Sequence, residues 1–299
     1  MTTDAQRHAQ RNRNTIFVED GEIVSIDRYE GEQFIQRIRT PKCAAAARAG
    51  SFVHITCDEG LPMRRPLSIM RVGDDWIEVL YKIVGEGLRL LSQKGPGGSV
   101  SVMGPIGRPF DLDPDYRRPL LIGGGVGIPP MVFVADALQQ SDADWSPFAI
   151  LGSEIPFPFA LEKSGQDVAG IDPEIDSTMA LLESWGTQTR LTSLAGFEGC
   201  FRGYVTDLAE HWLQSLDEKA RGEVMIYACG PTPMLKAVAD LAARHDLPCQ
   251  VSMEEYMACA VGGCAGCAIR IDTPDGPAMK RVCVDGPVFD AYSIDWAAA

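Results

Sequence analysis

No stretch of this 299-residue chain is long and apolar enough, without interruption, to span a membrane. The most apolar region, 120–138, is broken by four glycines and by Pro129-Pro130, so it reads as a buried strand and helix. The first fourteen residues are polar and have no apolar core, so no secretion signal is visible and 1–14 is expected to be a disordered tail. Positive charge is also scarce. Lys and Arg number 27 against 41 Asp and Glu, and the net charge of −14 argues against nonspecific nucleic-acid binding. There are no internal repeats and no low-complexity tracts. No acid–base constellation for chemistry on a small substrate is visible. His54 has no His or Cys at ligand spacing, so it reads as a strand residue. The odd count of nine cysteines, with no signal, suits a reducing cytoplasm.

Those cysteines are not spread evenly. Cys259, Cys264 and Cys267 follow C-x4-C-x2-C, and after fifteen more residues comes Cys283. This is the plant-type ligand spacing of a [2Fe–2S] cluster. Gly262, Gly263 and Gly266 allow a tight ligand loop, and the small residues Ala260 and Ala265 let backbone N–H groups approach the sulfurs. A structural zinc site is the alternative, but its cysteines usually come as two close pairs, and Cys283 has no close partner. A disulfide framework does not suit a long chain without a secretion signal.

Residues 15–112 have a β texture. Ile77, Val79, Tyr81 and Ile83 alternate with other residues, Phe34 and Ile38 do so less cleanly, and glycines punctuate the strands. This predicts a closed antiparallel barrel. The polar, proline-bounded stretch 111–119 marks a domain boundary. Over 118–252 the texture becomes α/β. Strands are expected at 120–122, 148–151, 187–191 and 224–229, with helices from Pro129-Pro130 through Leu138 and over 204–216. A further helix is expected with Thr232 as its cap, Pro233 at its first position and an apolar face of Leu235, Val238, Ala239 and Leu241. Such alternation predicts a parallel, doubly wound sheet. Residues 153–183 read as an irregular excursion, and 253–299 as a small cluster segment hanging off the sheet's end. Its terminal Phe289, Tyr292, Ile294 and Trp296 are either interface anchors or folded back on the chain.

Three motifs flank these elements. Gly123-Gly124-Gly125-Val126-Gly127 joins a strand to a helix, where a pyrophosphate can approach backbone N–H groups; a plain tight turn is the other reading. Cys229-Gly230-Pro231 follows the apolar strand at its carboxyl end, where open α/β sheets bind ligands; a buried inert cysteine is the alternative. Arg65-Pro66-Leu67-Ser68 begins a barrel strand, with an arginine suited to phosphate and a serine suited to a ring heteroatom. Gly85-Glu86-Gly87-Leu88-Arg89 is a second glycine turn entering a short helix.

In this order, the pieces resemble the ferredoxin–NADP reductase superfamily, and within it the electron-transfer subunits of NAD-linked dihydroorotate dehydrogenases. The resemblance runs through Arg65 to Ile69, Lys82 to Gly85, Gly104 to Gly107, Gly123 to Pro130, Gly203 to Asp207, Cys229 to Pro231, the cysteine loop and Val282 to Phe289. It implies FAD, NAD(H) and one [2Fe–2S] cluster as cofactors. It places Arg65, Pro66, Leu67, Ser68, Lys82, Gly87 and Leu88 with the flavin. Gly124, Gly125, Gly127, Gly230 and Pro231 fall with the dinucleotide, Cys229 near the nicotinamide, and the four cysteines on iron. Leu88 departs from the family's usual threonine, so a side-chain hydroxyl to the FAD phosphate is missing.

The implied mechanism follows from electron counting. Nicotinamide exchanges two electrons as hydride, a cluster passes one at a time, and a flavin joins the two regimes. Plant-type clusters sit near about −400 mV, a value that hydrogen bonding moves widely. The implied partner is a flavin-containing dihydroorotate dehydrogenase catalytic subunit in a hetero-oligomer involved in pyrimidine biosynthesis. The alternatives are a reductase subunit serving a hydrogenase, a sulfide or sulfite system or a ferredoxin transhydrogenase, and a zinc-stabilised binding protein. Glu154, after the second α/β strand, leans toward NAD because a carboxylate repels a 2′-phosphate.

Overall fold

The structure is a computed structural model that describes residues 15–298. The tail expected over 1–14 lies outside the described residues. Six strands form the first unit: β1 (Phe17–Tyr29), β2 (Gln33–Arg39), β3 (Phe52–Thr56), β4 (Arg65–Val72), β5 (Trp76–Lys82) and β6 (Ser99–Ile106). They close as a barrel in the order β1-β2-β5-β4-β3-β6, with antiparallel neighbours throughout. The long β1 achieves closure by pairing with β6 along its first half and β2 along its second. Ile23, Ile38, Val53, Ile55, Ile69 and Val79 fill the interior, the branched residues that suit a pleated surface. Alternation is less clean in β5 than the sequence suggests, because Ile77 through Tyr81 are all buried. The outward Glu78 is covered by Arg37 at 2.7 Å and Arg71 at 3.4 Å, which neutralise its carboxylate.

Two short helices belong to this unit, α1 (Pro41–Ala46) and α2 (Glu86–Leu91). The second unit contains β7 (Arg118–Gly124), α3 (Ile128–Gln139), β8 (Phe148–Gly152), the two-residue strands β9 (Glu162–Lys163) and β10 (Ser177–Thr178), α4 (Ala180–Ser184) and β11 (Gln188–Thr192). It continues through α5 (Val205–Ser215), α6 (Glu218–Gly222), β12 (Val224–Cys229), α7 (Thr232–Arg244) and β13 (Cys249–Ser252). The last stretch forms the hairpin β14 (Ala268–Thr273) and β15 (Gly276–Arg281), then β16 (Val288–Asp290).

The main sheet has the order β11-β8-β7-β12-β13-β16. Its first five strands are parallel, and β16 adds an antiparallel edge. The sheet is therefore mixed, and the cluster segment does not merely hang from it. Arg108 N–H also donates to the Gly286 carbonyl at 2.6 Å, so the same segment is stitched to the end of the barrel. The terminal side chains fold back: Ile294 is buried, Phe289 and Trp296 pack on the second core, and the Tyr292 hydroxyl donates to the Leu247 carbonyl at 2.6 Å.

Two helix starts differ from expectation. Helix α3 begins at Ile128, with Pro129 and Pro130 already inside its first turn. Pro231 occupies the cap position of α7, so Thr232 is its first residue and caps nothing. Proline is tolerated in both first turns because those N–H groups have no intrahelical acceptor. The predicted face of α7 is the buried one. Helix α3 is apolar almost all round because it is wedged between β4 of the barrel and the sheet. Residues 153–183 hold only the β9–β10 bridge and the start of α4. Among the described residues, no helix is long and apolar enough to cross a membrane.

Candidate functional site

Strands β7 and β12 lie side by side at the centre of the sheet, with Gly123 opposite Cys229. From β7 the chain moves outward to β8 and β11, and from β12 to β13 in the other direction. The strand order therefore reverses between them, which is where doubly wound sheets open a crevice at their carboxyl ends. Both turns that line the crevice are the glycine motifs. Gly125 has φ +55°, and the position where a side chain would stand is open space. Met234, in the first turn of α7, was not singled out by sequence. Its thioether lies over both turns, and a Cβ on Gly124 would stand 2.4 Å from its sulfur. The turn at 125–127 also touches β5, so the crevice faces the barrel.

Cys229 lies at the floor of this crevice and is almost wholly buried. Burial, with the nearby negative charge of Glu254, holds its thiol well above the ordinary range, so it stays neutral. Ser252, opposite it on β13, hydrogen-bonds it. Glu254 is a second group that the sequence did not flag. Its side chain is exposed, and partial desolvation of its carboxyl pushes it upward. The only sequence signal was position: it follows the last parallel strand at its carboxyl end. Glu154 is exposed at the carboxyl end of β8, and the Leu194 N–H approaches its carboxylate at 3.5 Å.

On the barrel, Arg65 to Ser68 open β4. The Arg65 guanidinium is anchored by donating to the Met63 carbonyl at 2.7 Å and lies across the first turn of α2. A Cβ on Gly87 would stand 3.0 Å from Arg65 Nε, so glycine is what admits the guanidinium there. A cation beside a glycine turn, with backbone N–H groups at hand, fits a pyrophosphate. Pro66, Ser68 and Lys82 are half-buried. Leu67 and Leu88 are buried in the barrel core, so they pack, and Leu88 has only its backbone to offer a phosphate.

Cys283 meets Cys267 although the two are distant in sequence. The fifteen intervening residues hold the β14–β15 hairpin, whose register puts Ala268 opposite Arg281. Val282 N–H donates to the Cys267 carbonyl at 2.9 Å, and Cys267 Sγ and Cys283 Sγ lie 3.3 Å apart at the hairpin's open end. Arg281 donates to the Gly262 carbonyl at 3.0 Å, fastening the ligand loop to the same turn. Ala260, Gly262 and Ala265 have φ of 53°, 78° and 55°, which curls the loop and turns N–H groups inward. Cys264 N–H approaches Cys259 Sγ, and Gly266 N–H approaches Cys264 Sγ, each at 3.4 Å. Burial pushes the Cys259 thiol up, but the N–H groups of Cys264, Val261 and Gly263 outweigh it and bring it down to about 7. Cys283 is deeper, and burial with the adjacent Cys267 pushes it up to about 12.

Among the described residues, no three His, Cys, Asp or Glu side chains gather about one point. The donor set, four cysteine thiols with a C-x4-C-x2-C loop and a distant fourth, fits a two-iron cluster.

Comparisons with known proteins agree with this geometry. Residues 254–295 match the family described as the iron–sulfur cluster binding domain of dihydroorotate dehydrogenase B. The chain is 32% identical to the electron transfer subunit of dihydroorotate dehydrogenase B (NAD+) from Caldanaerobacter subterraneus subsp. tengcongensis, over 82% of this chain and 86% of that one. It is 30% identical to the corresponding subunit from Desulforamulus reducens, over 93% of this chain and 98% of that one. Among solved structures, an NADH-dependent reduced ferredoxin–NADP oxidoreductase superposes with a TM-score of 0.75 at 25% identity, covering 93% of this chain and 90% of that one. Phthalate dioxygenase reductase shares the fold with a TM-score of 0.54 at 13% identity. The chain belongs to the family of electron transfer subunits of NAD+-dependent dihydroorotate dehydrogenase B.

Proposed function

We propose that this chain relays electrons between a dihydroorotate dehydrogenase catalytic subunit and NAD(H), holding FAD on the barrel, the dinucleotide at the β7/β12 crevice and a [2Fe–2S] cluster on the four cysteines. One observation carries this reading: the cluster segment is joined to the sheet through β16 and to the barrel through Arg108 and Gly286, so three cofactor sites adjoin within one chain. When bound, the flavin supplies the exchange between paired and single electrons.

The chain's own residues do the holding. Arg65 clamps phosphate beside Gly87, and Ser68 presents a hydroxyl to the flavin ring. Gly124, Gly125 and Gly127 keep the dinucleotide turn free of side chains. Cys229 gives the nicotinamide an uncharged floor, while Glu254 favours the cationic, oxidised ring. Cys259 and Cys264 would hold one iron, and Cys267 and Cys283 the other. Backbone N–H groups of the loop stabilise the thiolates. The nine free cysteines suit a reducing compartment, and we assign the chain to the cytoplasm.

The test is composition and reconstitution. Anaerobically purified protein should contain one FAD, two irons and two acid-labile sulfides per chain; zinc in their place would overturn the cluster assignment. With the catalytic subunit added, dihydroorotate should reduce NAD+. Success only with a different redox partner would move the assignment to another reductase system.

A further inference from the structure

Arg281 ends β15 two residues before Cys283, and Asp285 follows that cysteine by two. The Asp285 carboxylate accepts from the Arg281 backbone N–H at 2.9 Å and from its Nε at 3.2 Å. The Asp285 N–H returns a bond to the Arg281 carbonyl at 2.8 Å, so this one pair closes the turn that carries Cys283. The same guanidinium reaches the other part of the site through Nη1, which donates at 3.0 Å to the Gly262 carbonyl, between Cys259 and Cys264. A Cβ at residue 262 would stand 3.1 Å from Nη1 and 3.0 Å from a Val284 methyl, so glycine is what lets the loop come this close. Arg281 also lies opposite Ala268, the neighbour of Cys267, at the end of the hairpin.

Pinning the loop calls only for a donor, which a neutral side chain could supply. Arginine brings a charge as well, and the fold sets Asp285 against it. The Arg281 side chain is 39% exposed and that of Asp285 only 10%, so solvent screens this pair less than an ion pair standing in open water. Four thiolates and two sulfides outweigh two ferric ions, so the group that the cysteines suit is an anion, and reduction makes it more negative. A cation at the ligand loop favours the reduced state, and a carboxylate opposes it.

We propose that Arg281 and Asp285 form a charge-balanced clamp on the cluster site. The pair joins the three-cysteine loop to the Cys283 turn, and its two charges shift the reduction potential in opposite directions. Both are positioning and tuning residues, neither is an iron ligand, and the role rests on the cluster reading above.

The test uses the full chain, purified anaerobically with its cofactors. Iron and sulfide counts in the unaltered protein check the cluster reading by themselves. Redox titration followed by electron paramagnetic resonance then reads the potential of the cluster. Arg281→Gln should disfavour reduction about three- to tenfold, tenfold being about 59 mV for one electron. Asp285→Asn, which keeps an oxygen for the Arg281 N–H, should favour reduction by a similar factor. The double variant Arg281→Gln, Asp285→Asn should return close to the unaltered value. Arg281→Lys keeps the charge but not the fork, so it should stay nearer the unaltered potential than Arg281→Gln. A pin with no electrostatic role would leave both single variants unchanged or move them the same way, and either result overturns the proposal. If one single variant loses its iron, the other decides: a shift in the stated direction supports the clamp, and any other result overturns it. If both lose it, the double variant decides. Iron retained there shows that an unbalanced charge was the fault and supports the pair, and iron lost there overturns it.

Discussion

Gly127 rests directly on the backbone of Cys229: a Cβ at residue 127 would stand 2.2 Å from the Cys229 carbonyl oxygen. Its φ of −85° is open to any residue, so close approach, not backbone conformation, demands glycine here. Gly127→Ala must push the two crevice turns apart, at a cost of about 1–3 kcal/mol. Thermal unfolding should move to lower temperature. Stopped-flow reduction of the flavin by NADH should slow at least tenfold while FAD stays bound, because the flavin strand lies in the barrel. Full NADH reactivity in this variant would remove the crevice from the dinucleotide path.

Cys229→Ala probes the floor of the same crevice more gently. The thiol is buried and held neutral, so it offers shape and polarisability and no charge. FAD and iron should remain stoichiometric, and flavin reduction by NADH should slow severalfold. The rate should also show no titration attributable to this thiol between about pH 6 and 8, since its ionisation lies above the ordinary range near about 8.5. An unchanged rate would leave Cys229 with packing alone.

Arg65 is the side chain most exposed to a simple binding test. A charge-assisted hydrogen bond contributes about 1.5–3 kcal/mol, equivalent to roughly ten- to a hundredfold in affinity. Arg65→Ala should lose FAD by that factor on desalting or in a fluorescence titration. Arg65→Lys should fall between, because an ammonium keeps the charge but not the fork. The cluster's iron content should be untouched. Equal FAD affinity in all three proteins would place the phosphates elsewhere.

Much of this organisation was legible before the structure because local chemistry dictated it. The run 224–229 is apolar at every position, and a parallel strand covered on both faces needs that. The cysteine spacing pointed to a tight loop, since of the six residues between those three thiols all but Val261 are glycine or alanine. What stayed hidden depends on distant partners. Nothing near Val288 announces that it will pair with Ser252 and make the sheet mixed. Glu78 reads as a surface residue until Arg37 and Arg71 arrive from other strands. His54 reads as an ordinary strand residue, and only the fold brings the backbone of Met257, some two hundred residues later, to its ring.

The buried thiols outside the cluster give a pH prediction. Burial pushes Cys43 up to about 12 and Cys57 up to about 11. In the unfolded chain these thiols ionise near the ordinary value, so above it the unfolded state has released protons that the folded state keeps. Stability is level below about pH 8 and falls as pH rises through the unfolded-state value, by about 1.4 kcal/mol per pH unit for each such thiol. Urea unfolding under anaerobic, reducing conditions at pH 8, 9 and 10 should show that decline. The double variant Cys43→Ala, Cys57→Ala should flatten it by up to about 2.8 kcal/mol per pH unit. An identical slope would mean that these thiols ionise as freely in the fold as out of it.

Tyr256 points to how the partner is met. It is 94% exposed and lies three residues before Cys259, while Val261, inside the ligand loop, is 48% exposed and Cys264 is open to solvent. Phe289, Ile294 and Trp296 of the same segment are used in the chain's own core, whereas Tyr256 and Val261 stand beside the cysteines. An aromatic ring left in water beside the most accessible cluster ligand is suited to be a buried anchor in a complex. Tyr256→Ser combined with Val261→Ser should weaken binding to the catalytic subunit by tenfold or more in calorimetry or gel filtration. NADH-driven reduction of small one-electron acceptors by the isolated chain should not change. Dihydroorotate-dependent NAD+ reduction should appear only when the catalytic subunit is present, and the double variant should need correspondingly more of it. Unaltered affinity would place the docking surface elsewhere, and NAD+ reduction by dihydroorotate with this chain alone would overturn the division of labour between the two subunits.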